Sequence, residues 1–162
     1  MNILIIENEI YLAQKVVSRL LDDGHSCDYI ESPNIDNLTK EYDTILLSTS
    51  LPSALCKNII KRYSENAIIL LLVSYISDET VTNPIKDGAK DYIMKPFIMD
   101  ELVRKIYHYK ECRSMRRELQ TLREYFNFTM AEIDTTDVLL PPSFPTLVET
   151  NSQKCADKLV FE

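Results

Sequence analysis

A chain of 162 residues, 45% hydrophobic and 27% charged, has room for one ordinary domain and an appendage but not for two full domains. This is the composition of a folded globular chain, with Gly24 and Gly88 as its two glycines, and disorder is not the default. The net charge of −7 is uneven: residues 1–100 carry −6, residues 101–125 carry +3 and residues 126–162 carry −4, so a basic segment lies between two acidic ones.

Several function classes fall away at once. The opening apolar run, Ile3 to Ile6, is broken by Glu7 and has no cleavage site after it, and the run from Ala67 to Val73 is far too short to cross a bilayer. No signal peptide and no membrane association are expected, and a cytoplasmic location is. Cys27, Cys56, Cys112 and Cys155 show no C-x-x-C pairing and no His/Cys ligand spacing, which argues against a structural zinc site or a secreted disulfide framework. They read as buried or bystander thiols, and no metal and no cofactor are expected. No nucleophile and base pair, Gly-rich phosphate loop or metal cluster marks an enzyme.

In chain order, short β-rich apolar runs alternate with segments of helical period, the pattern of a parallel sheet with crossover helices. The first strand is Ile3 to Ile6. A helix from about Tyr11 to Leu21 follows, placing Leu12, Val16, Val17, Leu20 and Leu21 on one face and stopping at Gly24. A weaker second strand, Ser26 to Ile30, leads through Ser32-Pro33-Asn34 to a short helix near Ile35 to Glu41. The third strand, Thr44 to Leu47, ends at Ser48 and passes through Leu51-Pro52 into a helix near Leu55 to Tyr63. The fourth, Ala67 to Val73, is apolar throughout, as a central strand covered on both faces should be. A further helix begins near Asp78, and Pro84 within it predicts that it is short or kinked. The fifth strand is Tyr92 to Met94, and a last helix runs from about Met99 to about Tyr125. Open parallel sheets bind ligands beyond the carboxyl ends of their strands, which draws attention to Glu7-Asn8-Glu9, Ser48, Ser74-Tyr75 and Lys95-Pro96.

Over roughly its first two thirds the chain resembles the receiver domains of two-component response regulators. ILIIENE looks like the opening strand of that family with its acidic cluster, and DTILLSTSLP, residues 43–52, looks like the strand that carries the phosphorylated aspartate and the Leu-Pro after it. Ser74 sits at the switch hydroxyl, and GAKDYIMKPF, residues 88–97, is similar to the family's Gly-Ala-Asp-Asp-Tyr to Lys-Pro-Phe segment. The resemblance implies a flavodoxin-like, doubly wound, five-stranded parallel sheet with an extended C-terminal helix. It implies that Glu7, Asn8 and Glu9 occupy the acidic-pocket positions and Ser48 the phosphoacceptor position. Ser74, Tyr92, Lys95 and Pro96 would then be the switch positions, with Lys95-Pro96 a candidate cis peptide.

In the family, carboxylates bind magnesium and an aspartate accepts the phosphoryl group. Here Asn8 stands where an acid is expected, and Ser48 offers a neutral hydroxyl that cannot form an acyl phosphate. Cys56 stands where the family usually carries glycine. A receiver fold that has lost its switch chemistry is expected, with no tight magnesium binding and no need for a histidine kinase.

Beyond Leu102 and Ile106, which serve the domain, Cys112, Met115, Leu119, Leu122 and Phe126 recur at spacings of three and four, with arginines and glutamates between them. That is a short coiled-coil seam and a candidate homodimer contact; a single amphipathic helix packed on the chain's own tail accounts for the same spacing. No helix-turn-helix pattern accompanies the basic residues, so a solvated face is the simpler reading of that charge. Phe126 to Ile133 reads as a possible strand, Pro141-Pro142 and Pro145 as a turn or linker, and Asn151 to Phe161 has helical spacing.

The expected organisation is a receiver over 1–110, a helical linker and possible dimerisation helix over 111–126, and over 127–162 a linker or the start of a truncated output domain. The expected function is that of an atypical response regulator, a phosphorylation-independent pseudo-receiver. It would dimerise, in part through the face of the helix near Asp78, the fifth strand and the last helix, and control a DNA-binding output beyond residue 162, in transcription or replication. Two rivals stand: a thiol-based redox sensor using Cys56 or Cys112, and a receiver still switched by phosphoryl transfer at another acid such as Glu7 or Glu9.

Overall fold

The computed structural model describes residues 1–32, 38 and 40–132, with side chains as far as Asn127. The chain divides into two units, Met1–Gln120 and Thr121–Glu162. The expected short helix near Ile35 to Glu41 falls largely outside the described residues, as do the proline turn and the segment from Asn151 to Phe161.

The first unit is built on β1 (Asn2–Ile6), β2 (Ser26–Ile30), β3 (Thr44–Ser48), β4 (Ile68–Val73) and β5 (Asp91–Met94). All neighbours pair in parallel in the order β2-β1-β3-β4-β5, a doubly wound sheet of the kind the family resemblance implies. Every residue of β3 and β4 is buried, which is why these strands are apolar without alternation. Their side chains still point alternately to two faces. Leu4, Ile6, Ile45, Leu47, Ile69 and Leu71 pack with α2 (Ser53–Tyr63) on one side, whereas Ile3, Ile5, Leu46, Leu70 and Leu72 pack with α1 (Ile10–Asp22) and α4 (Met99–Glu132) on the other.

In α1 the buried stripe is Ala13, Val16 and Leu20. Leu21, expected on that face, is 51% exposed because it lies roughly 100° around the helix from the stripe's centre. The helix stops at Gly24 as expected: its φ of 79° lets its N–H reach the Leu21 carbonyl while the His25 N–H reaches that of Leu20. The segment near Asp78 is short and interrupted, a wide π-helical turn over Asp78–Thr82 followed by α3 (Asn83–Asp87) with Pro84 in its first turn, where a missing N–H costs least.

The last helix starts at Met99 and continues to Glu132, so the strand read into Phe126 to Ile133 is corrected as far as Glu132. Once a helix is nucleated each added residue costs little, and the aromatic and β-branched residues there do not stop it. Leu102 and Ile106 seat its beginning in the core. Farther along, Arg113 donates to the main-chain carbonyls of Asp43 and Asn66, at the opposite end of the strands from the candidate site.

Candidate functional site

Strand order reverses between β1 and β3, so the connections leaving them diverge to opposite faces and open a crevice at their carboxyl ends. Glu7 follows β1, Ser48 ends β3, Ser74 follows β4 and Lys95 follows β5. Glu7 and Ser48 are fully buried, and the Lys95 side chain is 8% exposed. The Lys95-Pro96 peptide is cis.

Lys95 organises the crevice. Its ammonium lies 2.6 Å from Glu7 Oε2 and 2.9 Å from Glu9 Oε1, and it donates to Ser48 Oγ over 3.3 Å. The approach to Glu7 Oε2 is a close ion pair without hydrogen-bond alignment, so that oxygen keeps no aligned donor; Glu7 Oε1 accepts from the Glu9 N–H at 3.0 Å. A carboxylate taken fully out of water needs such compensation, and Lys95 supplies it. Ser48 Oγ also accepts from the Ser50 N–H at 3.4 Å, which turns the chain away from the end of β3.

Of the residues singled out in the sequence, Glu7, Glu9, Ser48 and Lys95 come together. Asn8 and Ser74 are exposed, and Tyr92 is half-buried against the core on the α2 side. Two sets of contacts are not legible from the residues alone. Cys56 Sγ lies 3.6 Å from the Ser48 carbonyl and 3.8 Å from that of Leu51, tying α2 to the loop that leaves Ser48. The loop after β4 is held by Ser77 and Thr80: the Thr80 N–H donates to Ser77 Oγ, and Thr80 Oγ1 accepts from the Ser77 N–H and donates to the Tyr75 carbonyl. For the second, the Ser-x-x-Thr spacing is a partial signal.

The magnesium ion that the receiver fold implies does not fit these residues. Magnesium binds through oxygen ligands, carboxylates among them, at close to ideal octahedral geometry. Among the described residues the one buried carboxylate, Glu7, is met by an ammonium at 2.6 Å, Asn8 is exposed, and Ser48 contributes a neutral hydroxyl.

The thiol at Cys56 is a poor redox candidate. Burial pushes its pKa up to about 11, so its thiolate fraction near neutral pH is on the order of 100-fold below that of an ordinary cysteine. Alkylation at pH 8, read by peptide mapping, is expected to be far slower at buried Cys56 than at exposed Cys112. Equal rates at the two would revive Cys56 as a sensor.

No protein-family model matches the chain. Among curated relatives, it is 33% identical to the transcriptional regulatory protein DltR of Streptococcus agalactiae over 65% of this chain and 50% of that protein. It is 36% identical to the response regulator ArlR of Staphylococcus haemolyticus over the same shares. The transcriptional regulatory protein KdpE of Staphylococcus aureus is 27% identical over 99% of this chain and 74% of that protein. The chain thus spans about half the length of the first two.

Among solved structures, NtrX from Brucella abortus superposes with a TM-score of 0.64 at 26% identity, covering 75% of this chain and 29% of that one. A CheY-like receiver domain protein from Methanospirillum hungatei superposes with a TM-score of 0.64 at 20% identity over 71% of this chain and 97% of its own, which speaks to fold alone. The described domain thus has the CheY-like receiver fold, and its sequence is similar to those of response regulators and transcriptional regulatory proteins. No described helix is long and apolar enough to cross a membrane.

Proposed function

We propose that this chain is a pseudo-receiver: a response-regulator module that works without phosphorylation, pairs with a second copy through α4, and controls a DNA-binding output. The observation that carries the reading is the closed contact of Lys95 with Glu7 and Ser48. Ser48 stands where receivers carry the accepting aspartate, and a serine hydroxyl cannot form the acyl phosphate that a histidine kinase supplies. With no carboxylate at position 48, the ammonium completes the pocket by itself, and its charge is already met by Glu7 and Glu9.

A dimer is supported by the outer stripe of α4, where Met115, Leu119, Leu122 and Phe126 are each more than half exposed. Apolar side chains repeating at three and four along a helix are what a second helix would cover. The output is proposed from the relatives, several of which are transcriptional regulatory proteins longer than this chain. A cytoplasmic location and independence from a histidine kinase belong to the same reading.

The experiment is incubation with acetyl phosphate, and separately with beryllofluoride and magnesium, read by intact mass and light scattering. No hydroxylamine-sensitive adduct and an unchanged oligomeric state are expected. An acid-labile phosphoryl adduct at Glu7 or Glu9, or dimerisation only with beryllofluoride, would restore phosphoryl switching and remove the proposal.

A further inference from the structure

We propose that a second copy of this chain completes a tetrahedral metal site from His108 and Cys112 of each protomer, a Cys2His2 centre suited to zinc at the head of a parallel pairing of two α4 helices. The proposal rests on the dimer reading above and adds a ligand to it.

The first observation is a distance. His108 and Cys112 are both exposed, one helical turn apart, and Cys112 Sγ lies 3.7 Å from His108 Nε2. Two ligands of a tetrahedral zinc, at about 2.3 Å for sulfur and 2.0–2.1 Å for nitrogen, stand about 3.6 Å apart. The pair is therefore shaped as half of a site. Among the described residues no group of three or more metal-ligating side chains completes it within one chain.

The second observation is where the pair sits. His108 extends the apolar stripe by one more step of four, so that His108, Cys112, Met115, Leu119, Leu122 and Phe126 follow one another at four, three, four, three and four. At 100° per residue the six fall within about 80° of one another, on the side of α4 opposite Leu102 and Ile106, which face the core. In heptad terms His108 is a d position and Cys112 an a position, the two that meet across a coiled coil.

Charge then selects both the occupant and its direction. With that register Glu111 and Glu118 are g positions, and Arg116 and Arg123 are e positions. In a parallel pair each g residue meets the e residue five further on in its partner, so Glu111 meets Arg116 of the other copy and Glu118 meets Arg123. An antiparallel pair would set glutamate against glutamate and arginine against arginine. A parallel second copy thus brings its own His108 and Cys112 to the same level, supplying two imidazoles and two thiolates, the donor set zinc prefers. Each thiol gives up its proton to buffer on binding, two per dimer.

The test uses the full chain, held reduced by a phosphine, titrated with cobalt(II) and then zinc(II), with self-association measured by sedimentation. Expected are one cobalt per two chains with the visible spectrum of a tetrahedral thiolate-bound ion, displacement by zinc, and a dimer dissociation constant at least tenfold lower with zinc than after chelation. Cys112→Ser and His108→Ala should each abolish the spectrum and any tightening by zinc relative to that variant's own metal-free association. A dimer that gives no such spectrum overturns the metal site and leaves the dimer reading standing. One metal on each monomer overturns completion by a second copy, and a chain that stays monomeric with and without metal overturns both. A Cys112 pair that takes up no cobalt when reduced but crosslinks on oxidation would make this layer a thiol pair instead, and the metal site would fall.

Discussion

Replacing Lys95 by methionine is expected to lower the free energy of unfolding by about 3–5 kcal/mol in urea denaturation. Among the described residues the side chain removed is the one ammonium against Glu7, whose carboxylate is fully buried and whose other oxygen accepts from the Glu9 N–H. A buried pair adds little net stability while intact, because the attraction repays desolvation, but deleting one partner strands the other charge out of water. The contact with Glu9 contributes little to this sum, since Glu9 is 56% exposed and screened by solvent. The double variant Glu7→Gln, Lys95→Met removes both charges, and the amide oxygen introduced at position 7 can still accept from the Glu9 N–H. It should recover at least about 2 kcal/mol of the loss, a coupling that separates an electrostatic cause from lost packing. Should the single variant fall within about 1 kcal/mol of wild type, Lys95 would not be what permits Glu7 to be buried. The lysine would then have to be explained by a ligand it meets and not by the pocket it closes.

The sheet was legible because burial on two faces forces apolar runs, and β1, β3 and β4 carry runs that nothing else in a chain of this composition would demand. Where the reading slipped, the signal was a neighbour effect. Leu21 is as apolar as Leu20, yet one residue is 100° of rotation and the second leucine turns to solvent. The strand read into Phe126 to Ile133 followed local β propensity, which gives way when a long helix already runs into the segment. At the site, the ends of parallel strands pointed to Glu7, Ser48 and Lys95 before any geometry was known, and the structure brings these three together. The sequence placed the ammonium near Glu7; what it could not give is that the same ammonium also reaches Glu9, because Glu7 and Glu9 differ in burial and not in type. Nor did counting ligands in a single chain reveal His108 with Cys112, since a pair at four-residue spacing becomes a complete donor set only through a second copy.

Substituting Leu119 by lysine is expected to weaken self-association at least 100-fold, about 2.7 kcal/mol, with the monomer's fold unchanged. Leu119 is 59% exposed in the single chain, so the monomer has little to lose. In a parallel pairing the two copies of residue 119 face each other at one layer of the seam, and burying a leucine contributes about 1.5–3 kcal/mol for each copy. Lysine forfeits both contributions and sets two ammonium groups against each other where little water reaches them. Ser114→Lys adds the same charge roughly 140° around the helix from Leu119 and should leave association close to wild type, which distinguishes a blocked seam from a general effect of net charge. If the Leu119 variant sediments as wild type does, α4 is not the pairing surface, and the charge register of Glu111, Glu118, Arg116 and Arg123 must then serve an intramolecular role. If only that variant dissociates, the receiver domain holds its partner through a helix that leaves the sheet on the side away from Lys95. A dimer held there would not depend on the state of the pocket, as a module that does not wait for a phosphoryl group requires.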